Sequence, residues 1–425
     1  MAISGDVSPL QYKDDKKCLT QIVYRAWPIF VISFLRLFSI SIFERAFLNY
    51  IFFYRDISKS TLGFISSATS VAYIIGPILG YLITSKLGVK NSIILSTSIT
   101  PMLIFAQMVY FDPWYLIFIR VLSGLLLGVY WPNCYNLLSQ WQIVSSPEKA
   151  KSNFKNFNYS WNLGFILGLL SGYLWAFSLN EYGTMIISWL LSFLLLPFCV
   201  FLRKDSKVEQ MNENLDVSIN NITFEKHQNK SINQNSNLKN NNHPMIKFPI
   251  LFSWIVLFVY TMSKALIRFT YPVFLKDFGQ PSYYSYLNQL AIQIGQLSGL
   301  TLINYMKVYS RKLTTLSSIL MILFISLSII IIQDILFISI VSATIGIFIG
   351  LTQGTSLRIM IDYGAAHNTK KYSTINEILK GIGFGLTPIA AGFVAEFNIY
   401  INFVFLSIFG IFALGSLIFL SRNVH

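Results

Sequence analysis

The chain has 425 residues, of which 54% are hydrophobic and only 12% are charged, and its mean hydropathy is +0.57. Soluble domains carry about 25% charged residues, so this composition excludes a soluble enzyme that merely has a large core. The net charge of +14 could suggest a nucleic-acid partner. The basic residues instead concentrate in alternate short loops between apolar segments, which is typical of membrane proteins and argues against nucleic acid.

The apolar residues form segments long enough to cross a bilayer, for which a helix needs about 20 mostly apolar residues. Only helices or closed barrels satisfy the backbone in lipid, and segments of this length predict helices. We therefore expect an all-α membrane protein with twelve transmembrane helices, at residues 28–53, 61–84, 92–111, 114–138, 157–179, 184–202, 248–275, 283–304, 314–332, 335–359, 374–395 and 399–420.

A polar segment separates the first six predicted helices from the last six. Residues 204–247 are rich in Asn, Lys, Ser and Gln, and the segment has few large apolar side chains. Such a composition cannot bury a core, so we expect a disordered linker that acts as a tether, with a regulatory role as the alternative. The six-helix halves then cover residues 1–203 and 248–425.

The two halves repeat each other at a nearly constant shift. Arg55-Asp56 matches Lys276-Asp277 at a shift of 221, and Gly124 and Gly128 match Gly346 and Gly350 at a shift of 222. Parallel six-helix repeats place a binding site near the membrane midplane, between halves that rock about it. The repeat therefore predicts transport of a small solute by alternating access.

The distribution of basic residues also predicts the topology. Lys86 and Lys90 share one loop and Lys370 and Lys371 share another, whereas the intervening loops hold few charges. The basic loops and both termini should therefore be cytoplasmic in an integral multi-pass protein, which we expect in the cell membrane. The basic residues that depart from this pattern are Arg55, Lys59 and Lys276.

The loop after the second predicted helix resembles a motif of the major facilitator superfamily of secondary transporters. Lys86, Gly88 and Lys90 match the family pattern, but Ser85 stands where the family has an acidic residue. The resemblance implies a latch for the outward-facing state, and the missing acid puts that latch in doubt. The alternative is a basic cytoplasmic loop with a glycine turn.

Two further motifs are similar to those of this superfamily, and the resemblance covers all twelve predicted helices. Arg120 and Gly124 match an Arg-x-x-x-Gly signature that the family links to proton coupling, although a buried arginine also serves as a structural partner of a neighbouring helix. Glycine ladders in the fifth and eleventh helices resemble family motifs that pack the fifth helix on the eighth, or the second on the eleventh. The ladder residues are Gly164, Gly168, Gly172, Gly381, Gly385 and Gly392.

Charged residues inside predicted helices are costly and mark candidate functional sites. Glu44 corresponds by the repeat to Ala265, next to Lys264, which predicts an ion pair between Glu44 and Lys264 that exchanges for substrate or a proton; a permanent structural pair is the alternative. Glutamines in the eighth helix add amides that read hydroxyl or carboxylate groups of a solute if they face a cavity; the alternative is that they only bond across to another helix. The candidate substrate-binding residues are Arg36, Glu44, Arg45, Lys264, Arg268, Gln289 and Gln293, and the candidate coupling residues are Glu44, Arg120, Lys86, Gly88 and Lys90.

The charges near the membrane centre are mainly positive, so we expect an anionic solute. Arg45 and Arg268 are loosely similar to the paired arginines of organophosphate antiporters in the same superfamily. The four histidines lie in predicted loops or the tail, so no enzyme, metal site or cofactor is predicted. We expect a monomer whose partners are a small solute and the bilayer; the alternatives are efflux of apolar or drug-like compounds, and a transporter-like solute sensor.

Overall fold

A computed structural model describes residues 27–144, 147–202, 248–366 and 369–422, and its regular structure within these ranges is helical throughout. The predicted linker, Cys18 and both ends of the chain lie outside the described residues. In chain order the helices are α1 (Trp27–Tyr54), α2 (Lys59–Val109), α3 (Pro113–Val144), α4 (Pro147–Ser192), α5 (Leu195–Val200), α6 (Ile250–Asp277), α7 (Tyr284–Asn304), α8 (Val308–Ile331), α9 (Ile335–Ala366), α10 (Thr369–Phe397) and α11 (Ile401–Leu420).

Nine helices in the described part of the chain are long and apolar enough to cross a membrane. Two of them, α2 with 51 residues and α4 with 46, extend over two predicted segments and contain a non-helical residue between them. α4 ends at Ser192, inside the predicted segment 184–202, and α5 continues that segment. The glutamine-rich α7 coincides with the eighth predicted segment but is less apolar than the nine. The all-helical membrane architecture is confirmed, and the count of twelve crossings stays a prediction.

The breaks in α2 and α4 follow from their residue types. Gly88 has φ 76° and ψ 164°, a conformation open to glycine because it has no Cβ atom. Asn180 has φ 66°, and its Oδ1 accepts a hydrogen bond of 3.1 Å from the backbone N–H of Gly183. Asparagine tolerates positive φ because its short polar side chain bonds locally in this way. This turn starts the second part of α4 at Glu181.

Some helices continue beyond the predicted segments. α3 ends at Val144 and α9 at Ala366, whereas the predicted segments end at 138 and 359. The apolar pattern marks only the lipid-embedded part, because backbone hydrogen bonds within a helix do not require lipid.

Glycines let the helices approach closely, and the pattern repeats in the two halves. A Cβ atom at Gly124 of α3 would overlap the carbonyl oxygen of Thr69 in α2. At the matching position of the second half, a Cβ atom at Gly346 of α9 would overlap the backbone of Ile292 in α7. These two close contacts therefore join equivalent helices of the two halves, α1–α5 and α6–α11, which agrees with the repeat.

The glycine ladder of α10 packs on α2, as the family motif implies, with Gly385 against Val71 and Gly392 against Lys59 and Ser60. The ladder of α4 differs from the expectation. Gly164 and Gly168 pack on α1, and only Gly172 reaches α7, at Tyr286. The implied contact between the fifth and eighth predicted helices, which are parts of α4 and α7, is therefore made by one of the three glycines.

Candidate functional site

The charged residues of α1, α3 and α6 meet where the two halves face each other. Glu44 of α1 accepts a charge-assisted hydrogen bond of 2.9 Å from Arg120 Nη2 and lies 3.6 Å from Arg268 Nη2. Arg120 belongs to the first half and Arg268 to the second. Glu44 therefore links the two halves electrostatically at the centre of the bundle.

Arg120 is fixed by several further contacts inside the first half. Its Nε donates to the carbonyl oxygen of Ile65 at 2.7 Å, and its Nη1 donates to Gln107 Oε1 at 3.3 Å. Its side chain is only 2% exposed. The structural interpretation of Arg120, as a partner of the neighbouring helix, therefore describes its contacts, while its coupling role stays a prediction.

Arg268 is held much less firmly. Its side chain is 34% exposed, and its pair with Glu44 is longer than a normal hydrogen bond. A guanidinium has five N–H donors, so most of the donors of Arg268 remain available to a ligand.

Lys264 lies one turn before Arg268 but bonds to amides rather than to Glu44. Its Nζ donates to Gln293 Oε1 at 3.1 Å and to Gln296 Oε1 at 2.5 Å. Gln293 Nε2 donates in turn to Asn162 Oδ1 of the first half at 3.0 Å, and Gln296 Nε2 donates to Gln353 Oε1. We call Lys264, Gln293, Gln296, Gln353 and Asn162 the amide network.

These contacts correct the predicted pairing of Glu44 with Lys264. The repeat aligned backbone positions, but the partner is set by where the helices approach. α1 and α6 meet at Arg268, whose carbonyl oxygen lies 3.5 Å from Arg45 Nη1. The side chain of Arg268, one turn beyond Lys264, therefore reaches Glu44.

Arg45 and Arg36 are both buried, in different surroundings. Arg45 Nη2 donates to Gln289 Oε1 across the halves at 2.8 Å, so this candidate pair is brought together. Arg36 stays within the first half, with its guanidinium 4.2 Å from the centre of the Tyr130 ring and Nη1 3.4 Å from the carbonyl oxygen of Ser96. These neighbours do not support a contact between Arg36 and the substrate.

The candidate gating loop lies at the end of the bundle that carries the basic loops, which we call the inner end. Gly88 forms its turn, Lys86 is exposed and Lys90 is half-buried. The gating role of these residues stays a prediction.

The sequence analysis missed a buried carboxylate near the opposite end, which we call the outer end. Glu181 is 1% exposed and accepts hydrogen bonds from Asn49 Nδ2 at 2.9 Å, Ser282 Oγ at 2.6 Å and Tyr286 Oη at 2.7 Å. Asn49 also donates to Ser285 Oγ at 2.8 Å. We call these five residues the outer cluster. Its residues come from α1, α4, α7 and the turn before α7, and Glu181 gave no sequence signal beyond being an acid after a predicted helix end.

Ion pairs between the halves surround the outer cluster. Lys276 Nζ lies 2.9 Å from Asp56 Oδ1, and Lys59 Nζ lies 3.0 Å from Asp277 Oδ2. Lys59 and Lys276 are among the basic residues that departed from the loop pattern, and Asp56 and Asp277 are equivalent by the repeat. The unusual position of these lysines, together with the repeat, could have predicted the contact between the halves. The outer end is therefore closed in this conformation.

The comparisons with known proteins agree with this fold. Residues 29–216 match the sequence profile of the Major Facilitator Superfamily. No curated protein matches the sequence. A crystal structure of a mutant of the nucleoside transporter NupG has a TM-score of 0.68 at 15% identity, covering 93% of this chain and 100% of that one. A second NupG structure has a TM-score of 0.65 at 14% identity, covering 93% and 99%.

A helical membrane bundle with charged side chains where its halves face each other, and with this fold, has the architecture of a secondary transporter. Its fold is that of transporters in which two halves move about a central site. The first half of the chain matches the Major Facilitator Superfamily profile, and the chain as a whole shares the fold of the NupG structures.

Proposed function

We propose that the protein moves small organic anions across the membrane by alternating access. Arg268 carries this proposal, because it is a cation at the contact between the halves whose side chain is 34% exposed and whose pair with Glu44 is 3.6 Å long. A carboxylate or phosphate group of the solute would bind this guanidinium with charge-assisted hydrogen bonds, which are stronger than neutral ones.

The charge balance of the region supports an anion. At the contact between the halves near the centre, the described cations are Arg45, Arg120, Lys264 and Arg268, and the carboxylate among them is Glu44. Charges removed from water are costly unless paired. An anionic ligand would reduce the positive excess and would thus gain affinity from it.

We propose that binding exchanges one ion pair between the halves. The solute would replace Glu44 at Arg268, while Glu44 keeps its 2.9 Å bond to Arg120. Each half would then contact the other through the solute, which couples binding to rearrangement. The proposal includes proton coupling through Glu44 and Arg120, which the Arg-x-x-x-Gly resemblance implies.

Thermal unfolding in detergent with a panel of organic anions, neutral solutes and cations tests the proposal. A ligand at 100 times its Kd stabilises the folded protein by about 2.7 kcal/mol. We expect one anion class to stabilise the wild type and the exposed-lysine control Lys307→Gln, but not Arg268→Gln or Lys264→Gln. Stabilisation of all four proteins by the same neutral or apolar compounds contradicts the proposal and supports efflux of such compounds.

Uptake into proteoliposomes then distinguishes a transporter of the stabilising anion from a sensor that only binds it. We expect uptake by the wild type and by Lys307→Gln, and a loss of uptake in Arg268→Gln. If the anion binds but is not taken up in either orientation of the protein in the membrane, with or without a pH gradient, transport is contradicted.

The amide network favours a second candidate, a neutral solute with several hydrogen-bonding groups. Its amides lie beside Lys264 and come from both halves, and the similar NupG is a nucleoside transporter. Nucleosides would supply hydroxyl and base edges to these amides. Stabilisation by nucleosides that is lost in Gln293→Leu and kept in Arg268→Gln would support this candidate over the anion.

We further propose that the protein is a monomer of the cell membrane with the inner end and both termini in the cytoplasm. The basic loops support this orientation, because such loops stay on the cytoplasmic side. Labelling of a single cysteine at exposed Lys86 by a membrane-impermeant reagent should require permeabilised cells, and labelling of intact cells contradicts the orientation.

A further inference from the structure

Glu181 differs from Glu44 and Glu377, two partly buried carboxylates that also contact the opposite half. Glu44 is paired with Arg120 and Arg268, and Glu377 is paired with Lys380 at 2.7 Å. Among the described residues, Glu181 forms no ion pair, and all of its hydrogen-bond donors are neutral groups. Of these three carboxylates, Glu181 therefore carries the charge that nearby cations compensate least.

The position of Glu181 ties its surroundings to the motion of the halves. Glu181 and Asn49 belong to the first half, whereas Ser282 and Tyr286 belong to the second. When the outer end opens, the second half takes these two donors away and water reaches the carboxyl group. When the outer end closes, the group becomes 1% exposed.

We propose that Glu181 is a proton-binding site of the outer gate, and that it takes up a proton from the outer solution as this gate closes. The outer gate is the outer cluster together with the ion pairs Lys276–Asp56 and Lys59–Asp277. The proton binds to a carboxylate oxygen of Glu181 on closing and returns to the outer solution on reopening. This proposal rests on alternating access in the proposed function, but not on the identity of the solute.

The direction of the pH effect follows from two contributions to the free energy of ionised Glu181 that change when the outer gate closes. These are its hydrogen bonds and its hydration. The three hydrogen bonds replace bonds that water makes to the same oxygens in the open state, so their net contribution is modest. The loss of bulk hydration is not replaced, because no described cation lies within ion-pair distance of Glu181, and burying such a charge costs several kcal/mol. Protonation removes this cost, so acid outside favours the closed gate.

Other charged or titratable groups lie on the elements packed around Glu181. The charge of Arg45 acts on Glu181, but the guanidinium of Arg45 bonds to Gln289. The remaining groups are Tyr50 of α1, Tyr173 and Tyr182 of α4, Arg268, Lys276 and Asp277 of α6, and Tyr283 and Tyr286 at the start of α7. The test therefore needs a variant that changes Glu181 alone.

Distances between spin labels across the outer end measure the gate without any solute. The three cysteines are replaced by serine, and labels are attached to Tyr110→Cys in the first half and Phe397→Cys in the second, which are both exposed. Double electron–electron resonance in proteoliposomes then gives the closed and open populations. Ser285→Trp, which inserts a large ring into the outer cluster, serves as the control that shows the open distance.

From about pH 8 to about pH 5.5, we expect the ratio of closed to open populations to rise several-fold, since one proton gives at most tenfold per pH unit. Glu181→Gln keeps the shape of the side chain but cannot titrate, so its ratio of closed to open populations should be high at both pH values. Glu181→Asp, which titrates, should restore a pH response. A pH-independent ratio in the wild type overturns the proposal, and so does an unchanged pH response in Glu181→Gln. Because no solute is present, either outcome is independent of the anion proposal.

Discussion

Arg120 and Arg268 contact the same carboxylate from opposite halves, yet their surroundings differ greatly. Arg120 is 2% exposed and also bonds to Ile65 and Gln107, whereas Arg268 is 34% exposed and lies 3.6 Å from Glu44. A buried ion pair with further hydrogen bonds is costly to break, while a solvated one contributes little. One acid can therefore have a permanent partner and an exchangeable one.

The largest expected effect is that of Arg120→Gln. This change leaves Glu44 without its 2.9 Å partner and removes the donor to the carbonyl oxygen of Ile65. Loss of one member of a buried pair costs up to about 3–5 kcal/mol, and the remaining contact of Glu44 with Arg268, at 3.6 Å, compensates its charge only in part. Thermal unfolding in detergent should show a large loss of stability relative to the Lys307→Gln control. Unfolding at the wild-type temperature contradicts the permanent role of Arg120.

Gly124→Ala tests how closely α3 must approach α2 to hold Arg120 in place. Gly124 is one turn after Arg120, and Thr69, which it contacts, is one turn after Ile65. The added methyl group would meet the carbonyl oxygen of Thr69 and force the helices apart, at a cost of about 1–3 kcal/mol.

The matched control is Gly415→Ala in α11, where a Cβ atom meets nothing within 4 Å. In a helix this change should be neutral or stabilising by up to about 1 kcal/mol. Equal unfolding temperatures for the two alanine variants contradict the close-contact argument.

The sequence predicted the helices and their packing well, because both depend on local patterns. The apolar segments agree with the helices, and the shift of the repeat agrees with the glycine contacts of α3 and α9. The helix ends at Val144 and Ala366 were missed, because hydropathy reports lipid contact and not backbone hydrogen bonding.

The site was predicted less well, because pairing between helices depends on side-chain direction. The residues Glu44, Arg120 and Arg268 were candidates, but the partner of Glu44 was wrong. Glu181 was placed in a loop, and its burial depends on the turn at Asn180 and on donors more than 100 residues away along the chain, Ser282 and Tyr286. A single sequence gives no signal for such contacts.

Arg268→Gln should have the smallest effect on stability, and this result separates the two arginines. Glu44 keeps Arg120, and the backbone carbonyl at position 268 remains available to Arg45. Since a solvated pair contributes about 0–1 kcal/mol, the unfolding temperature should stay close to that of the wild type. Binding of an anion to the same variant should fall at least tenfold, which corresponds to about 1.4 kcal/mol. A loss of stability as large as that of Arg120→Gln would mean that both arginines are structural, and Glu44 would then have no exchangeable partner.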